Sequence, residues 1–215
     1  MVHSRTVNSS DCTSAKYTAM NKSKKVSISK EQEIIAVAAR LFKEKGYRAT
    51  TLEDIAAAVG MLKGSLYYYI RSKEELLYIV VREPVRQAYN KLEEIVYSDA
   101  PIKTKIAQAV ANHLALYHQH YPHMAVYLHD YHHLMQKLQK DIIETPKHYQ
   151  RLWATLLQQG IDAGELRSDL NVKVTGYAIL GMCNWVYRWY NPEGKLSAEE
   201  IASVFSKIIL DGVSR

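Results

Sequence analysis

Helix start and stop signals follow one another closely between Ser29 and Leu77, and they constrain the fold more than any other feature of the sequence. The spacing of a capping box, in which two side chains satisfy backbone N–H groups at a helix start, occurs at Ser29/Gln32, Thr51/Asp54 and Ser72/Glu75. Gly46 and Gly60 follow apolar runs, and glycine readily adopts the positive φ that ends a helix. The sequence therefore predicts helices over about 29–45, 51–59 and 62–69, and a further helix from Lys73.

Beyond residue 80, apolar residues keep helical spacing in longer segments, over about 149–160, 171–190 and 197–212. Nine Gly and five Pro in 215 residues leave little room for short strands joined by tight turns, and the sequence has no strand pattern and no internal repeat. We predict an all-α fold, with a three-helix N-terminal domain over 29–77 and a helical C-terminal domain over 78–215.

The net charge of +6 is concentrated near the N-terminus. Residues 1–28 hold five Lys/Arg against one acid, whereas residues 29–77 hold eight against seven. We predict a flexible basic arm over 1–28, and such an arm beside a small basic domain suits a polyanionic partner. Cys12 and Cys183 form no disulfide framework, and no secretory or membrane segment is evident, so we expect a cytoplasmic protein.

The segment 61–73 contains no acidic residue, while Lys63, Arg71 and Lys73 supply positive charge. Gly64 allows a close backbone approach to a ligand. The consecutive tyrosines 67–69 point 100° apart on a helix, so they do not all face the core. Two short helices joined at Gly60 indicate a helix-turn-helix whose second helix enters the major groove of DNA.

Residues 49–60, 63–69 and 72–77 together resemble the DNA-binding domain of the TetR family of bacterial repressors. The resemblance implies an all-helical homodimer that binds palindromic operator DNA through its N-terminal domain. It also implies that a small molecule bound in the C-terminal domain lowers the affinity for DNA. We expect residues 171–190 and 197–212 to pair with their symmetry mates as a four-helix dimer interface.

The resemblance also implies roles for individual residues. Phosphate contacts are implied for Thr51, Tyr68, Tyr69 and Lys73. Contacts to base edges or flanking backbone are implied for Lys63, Gly64, Ser65 and Tyr67. Leu62 departs from the family pattern, which has a small Ser or Thr cap there, and Ile70 replaces a common Phe. The departure at Leu62 costs a cap of roughly 1 kcal/mol, although its side chain can instead reach a thymine methyl.

The segment 179–197 resembles TetR-like regulators of fatty-acid and steroid catabolism, which implies a CoA thioester effector and no other cofactor. The same subgroup is matched at Gly160, Gly164, Glu165, Leu166, Arg167 and Asp169. A cavity lined by aromatic, Met and Leu side chains suits an acyl chain, and basic side chains at its mouth suit CoA phosphates. The candidate ligand contacts are Met124, Tyr127, Tyr131, Trp153, Trp185 and Arg188.

Several alternatives remain open at this point. The same fold can sense a hydrophobic drug and control efflux, or bind DNA without any effector. The histidines crowded between His113 and His133 suggest a metal-dependent hydrolase, because His129 and His133 share a face if the segment is one helix. Such an enzyme needs further His and Asp ligands in other segments, and no second convincing cluster is present, so we expect no metal site and no catalysis.

Overall fold

The structure, a computed structural model, describes residues 29–133, 136–191 and 193–214, and for Tyr131 and residues 136–146 it describes the backbone. The predicted flexible arm, residues 1–28, lies outside the described residues. From Glu31 onward, the described residues form one compact unit. The α-helices are α1 (Lys30–Lys45), α2 (Leu52–Ala58), α3 (Lys63–Leu66), α4 (Lys73–Val96), α5 (Ile102–Gln119), α6 (His123–Asp130), α7 (Gln136–Asp162), α8 (Val172–Trp185) and α9 (Ala198–Val213). Short 3-10 helices follow α6 (Tyr131–His133) and α8 (Val186–Arg188).

The N-terminal helices form as their start and stop signals predict. The capping box of Thr51 and Asp54 opens α2, and Gly46 and Gly60 have φ values of 83° and 67°. The third helix is shorter than predicted: α3 ends at Leu66 and residues 67–69 form turns. Leu62 offers no side-chain cap, so the first backbone N–H groups of α3 lack the partner that a Ser or Thr would supply.

Helix α4 is continuous through the domain boundary that we predicted after Leu77. Its first turns, including Val80 and Val81, complete the N-terminal core with Ile34, Phe42, Ile55 and Leu66. Its last turns, from Leu92 to Val96, belong to a second core instead. One helix therefore contributes to both domains.

The second core lies between α4, α5, α7, α8 and α9, and the fully buried ring of Trp153 is its largest side chain. Gly160 on α7 lets the side chain of Leu166 pack closely against the helix, because a Cβ at this position would lie 2.5 Å from Cδ1 of Leu166. The described residues contain no β-strand, and the single bridge between Leu166 and Ser214 is isolated. The all-α prediction is confirmed. Among the described helices, none combines the length and the apolar character that crossing a membrane would require.

Candidate nucleic-acid interface and ligand cavity

Helix α3 and the turns after it present a continuous exposed surface, which we call the α3 surface (residues 61–69). Leu66 is fully buried and Ile70 is 4% exposed, so these two residues fix the segment on the N-terminal core. Leu62 and Tyr68 are 81% and 88% exposed, and Tyr67 is half exposed. Lys63, Gly64 and Ser65 are exposed as well, whereas Tyr69 is partly buried against the core. The predicted base-reading residues are therefore all accessible.

Two of the predicted DNA contacts already have intramolecular partners. The Lys63 ammonium pairs with the Glu53 carboxylate, and this hydrogen bond lowers the pKa of Glu53 and raises that of Lys63. The Thr51 hydroxyl accepts from the Asp54 backbone N–H at 3.0 Å and donates to the Asp54 carboxylate at 2.9 Å. Thr51 thus caps α2 as predicted, while its phosphate contact stays a prediction.

Lys73 has a role that the sequence did not indicate. Its ammonium donates to the carbonyls of Tyr47 and Thr50 at 3.0 and 2.9 Å, and to that of Arg48 at 3.4 Å. It also lies 4.4 Å from the centre of the Tyr47 ring. All three N–H donors are engaged, so a DNA phosphate contact, which stays a prediction, would have to replace one of these bonds. Lys73 therefore fastens the loop that leads into α2.

The predicted dimer segments carry apolar side chains that their own chain leaves uncovered. On α8 and the residues after it, Val174 and Trp185 are 60% and 59% exposed, and on α9 Val204 and Ile208 are 57% and 56% exposed. Val204 and Ile208 are four residues apart and share one helix face. Exposed apolar side chains that share a helix face are typical of protein–protein contacts.

A cavity of about 210 Å³ lies between α4, α5, α6, α7 and α8. Its lining consists of Val85, Ala88, His113, Met124, Tyr127, Leu128, Tyr149, Gln150, Leu180 and Asn184. Of the predicted ligand contacts, Met124 and Tyr127 line it, whereas Trp153 is buried in the core beside it. The side chain of Tyr131 lies outside what the structure describes. Among the lining residues whose side chains the structure describes, there is no Lys, Arg, Asp or Glu.

One wall of the cavity is polar, and the sequence analysis did not assign its residues to a ligand site. His113 Nδ1 lies 3.0 Å from the Tyr149 hydroxyl, and its Nε2 lies 3.1 Å from Asn184 Oδ1. Burial lowers the pKa of His113 to about 4, so its ring is neutral at pH 7. The available signal was a histidine on the otherwise apolar face of α5 that carries Ile106, Val110 and Leu114.

Arg188 and Trp185 lie away from this cavity. Arg188 lines a separate cleft of about 430 Å³ with Tyr187, His129 and residues 42–46 at the end of α1. Its guanidinium carbon lies 5.5 Å from the centre of the Trp185 ring. The predicted acyl-chain and phosphate contacts are thus divided between two clefts.

The proposed metal pair in the histidine-rich segment does not form. Helix α6 ends at Asp130, so His129 and His133 do not share the face of one α-helix. His129 Nδ1 bonds to the buried Asp130 carboxylate at 3.0 Å, and the His133 ring stacks on Tyr47 with centroids 5.2 Å apart. Within the ranges that the structure describes, no three His, Cys, Asp or Glu side chains are placed to hold a metal ion.

Helix α6 connects the cavity with the N-terminal core. Met124 and Leu128 line the cavity, while Val126, only 1% exposed, packs among the N-terminal core residues. Tyr127 does both. A ligand that moves α6 therefore moves side chains of the N-terminal domain.

Comparison with known proteins covers both domains. The family model for bacterial regulatory proteins of the tetR family matches residues 34–78, and that for the tetracyclin repressor-like C-terminal domain matches residues 99–213. The HTH-type transcriptional repressor KstR2 of Mycolicibacterium smegmatis is 32% identical over 190 residues, which cover 87% of this chain and 92% of the relative.

Solved structures of transcriptional regulators are similar to this chain over most of its length. The ketosteroid transcriptional regulator KstR2 of Mycobacterium tuberculosis superposes with a TM-score of 0.83 at 30% identity, over 87% of this chain and 96% of that one. AibR, solved in complex with isovaleryl coenzyme A and operator DNA, superposes with a TM-score of 0.74 at 25% identity, over 84% and 97% of the two chains.

Proposed function

Because the chain belongs to the TetR family of transcriptional regulators, we propose that it is a cytoplasmic, homodimeric repressor that a CoA thioester releases from operator DNA. The observation that carries the DNA-binding part is the α3 surface. Its accessible side chains are apolar, hydroxyl-bearing or cationic, and the segment 61–73 contains no acid that would repel phosphate. Such a surface meets both base edges and backbone in a major groove.

Homodimerisation is supported by the uncovered apolar face of α8 and α9, at the segments where we expect a four-helix interface. A two-fold dimer presents two copies of the α3 surface, and a palindromic operator presents two matching half-sites. Val204 and Ile208 would then lie at the dimer axis rather than in water.

The effector assignment is supported by the cavity and by the relatives. KstR2 is a ketosteroid regulator by name, and AibR was solved with isovaleryl coenzyme A. A space of about 210 Å³ is smaller than typical ligand pockets of roughly 300–1,000 Å³, so it suits an acyl group better than a whole CoA ester. The described part of the lining offers no acid to a cationic drug, which favours the thioester over the drug-sensing alternative.

The DNA-binding part is tested by fluorescence anisotropy on duplexes tiled across the chain's own upstream region, over a range of salt concentrations. We expect tight binding to one palindromic duplex and a steep loss with salt, because phosphate contacts release counterions. Tyr68→Ala should weaken binding to all duplexes, whereas Lys63→Met should change the preference by about 1–3 kcal/mol at individual base pairs. Salt-insensitive binding, or none to any of the duplexes, would contradict the proposal.

The effector part is tested by adding acyl-CoA thioesters, the free acids and CoA alone to the preformed DNA complex. We expect thioesters to release the DNA and free acids to leave it bound. Release by hydrophobic drugs and by no thioester would replace this effector with the drug-sensing alternative. The repressor assignment would stand in that case.

A further inference from the structure

The polar wall of the cavity consists of His113, Tyr149 and Asn184, and their hydrogen bonds fix which atoms donate and which accept. An amide oxygen only accepts, so the contact between His113 Nε2 and Asn184 Oδ1 places the ring proton on Nε2. In a neutral ring, Nδ1 then accepts, and the Tyr149 hydroxyl donates to it. Both nitrogens of His113 are satisfied, and the hydroxyl proton of Tyr149 is used.

The amide nitrogen of Asn184 is different. Asn184 lines the cavity, and among the described residues none accepts a hydrogen bond from this nitrogen. His113 is only 7% exposed and holds the other end of the amide, which fixes its direction. A donor oriented in this way inside an apolar cavity is a recognition group.

We propose that Asn184, positioned by His113 and Tyr149, donates a hydrogen bond to an uncharged carbonyl oxygen of the ligand's acyl part. This inference rests on the proposed function and specifies which ligands the cavity accepts. The thioester carbonyl and a ketone on the acyl chain share the required chemistry. A saturated hydrocarbon leaves the Asn184 donor unsatisfied, and a free carboxylate meets no Lys or Arg among the described lining residues, which penalises both ligands.

The test measures the binding of three ligands with six-carbon chains to the full-length protein by isothermal titration calorimetry. Hexyl-CoA is a thioether and has no carbonyl. The other two ligands, hexanoyl-CoA and 3-oxohexanoyl-CoA, have the thioester carbonyl, and the second also has a ketone on its chain. We expect the wild-type protein to gain about tenfold in affinity when the recognised oxygen is present, as one additional hydrogen bond inside the cavity predicts. A gain from hexyl-CoA to hexanoyl-CoA identifies the thioester carbonyl, and a gain confined to 3-oxohexanoyl-CoA identifies a chain ketone.

Asn184→Leu should abolish that gain while retaining binding of hexyl-CoA. Asn184→Asp keeps an acceptor for His113 but removes the donor, so it should abolish the gain even if Asn184→Leu folds poorly. Asn90→Leu makes the same change at an exposed position of α4 outside the cavity lining and should leave the gain unchanged.

An unchanged gain in both Asn184 variants, or no gain for either oxygen in the wild-type protein, overturns the inference. Release of operator DNA is measured separately with the same ligands. Release without any dependence on Asn184 overturns this inference alone, whereas no binding of any thioester overturns it together with the proposed effector.

Discussion

Replacing Lys73 by Met separates two roles for this residue, fastening the loop before α2 and contacting a DNA phosphate. Methionine keeps most of the apolar stem and removes the ammonium. The loss comprises two hydrogen bonds of 3.0 and 2.9 Å to backbone carbonyls and the contact with the Tyr47 ring. At about 1.5–3 kcal/mol per charged hydrogen bond and about 0.5–1 kcal/mol for the ring, less about 2 kcal/mol of regained side-chain freedom, unfolding becomes easier by about 1.5–5 kcal/mol.

Urea denaturation followed by circular dichroism, at one fixed protein concentration, measures this change in the free energy of unfolding. Lys63→Met is the matched control, because Lys63 has only an exposed carboxylate partner, and its midpoint should stay near that of the wild-type protein. A Lys73→Met midpoint equal to the wild-type one, with a DNA-binding salt slope reduced by about one, would refute the fastening role and support a phosphate contact.

Three further substitutions test other features. Gly60→Ala should lower the melting temperature, since a side chain at φ 67° costs about 1–2 kcal/mol; an unchanged melting temperature would show that the turn relaxes. Ile208→Asp should convert the proposed dimer into monomers, as measured by sedimentation velocity. Lys207→Asp, at the neighbouring exposed position, should leave it dimeric. A dimeric Ile208→Asp protein would exclude this face of α9 as the dimer interface. The folded-state pKa of His113, about 4, lies below its ordinary value of 6.5, so the unfolded chain binds more protons between these values and stability falls as pH drops from 6.5 to 4. His113→Gln should flatten the stability curve in that window, and a curve with the wild-type slope would contradict the assignment.

The elements with strong local signals were predictable from the sequence. Capping residues and glycines act within a few residues of the chain, so the limits of α2 and the turn at Gly60 follow from Thr51, Asp54 and Gly60 themselves. The length of α3 did not follow, because Leu62 supplies no cap and the burial of Leu66 and Ile70 decides where the segment turns.

The ligand cavity was less predictable, because its residues come from distant parts of the chain. His113 contacts residues 36 and 71 positions away, and no local pattern encodes such pairs. Aromatic composition identified Tyr127 as a cavity residue but also suggested Trp153, which packs in the core. An aromatic residue that lines the cavity and one that packs in the core show the same pattern in the sequence. The packing in three dimensions is what distinguishes the two.

The burial of Val126 among the N-terminal core residues has a consequence for building hybrid sensors from this chain. A graft of residues 29–77 onto a foreign sensory module leaves behind Val80, Val81 and Val126, and with them one wall of the transplanted core. The grafted domain keeps the operator specificity of this protein, but the foreign module has to supply the missing part of the core. The unit that can be exchanged therefore extends as far as the N-terminal core does, to the middle of α4 and onto α6. A functional hybrid needs a helix in the foreign module that places a side chain of the size of valine where Val126 packs in this protein.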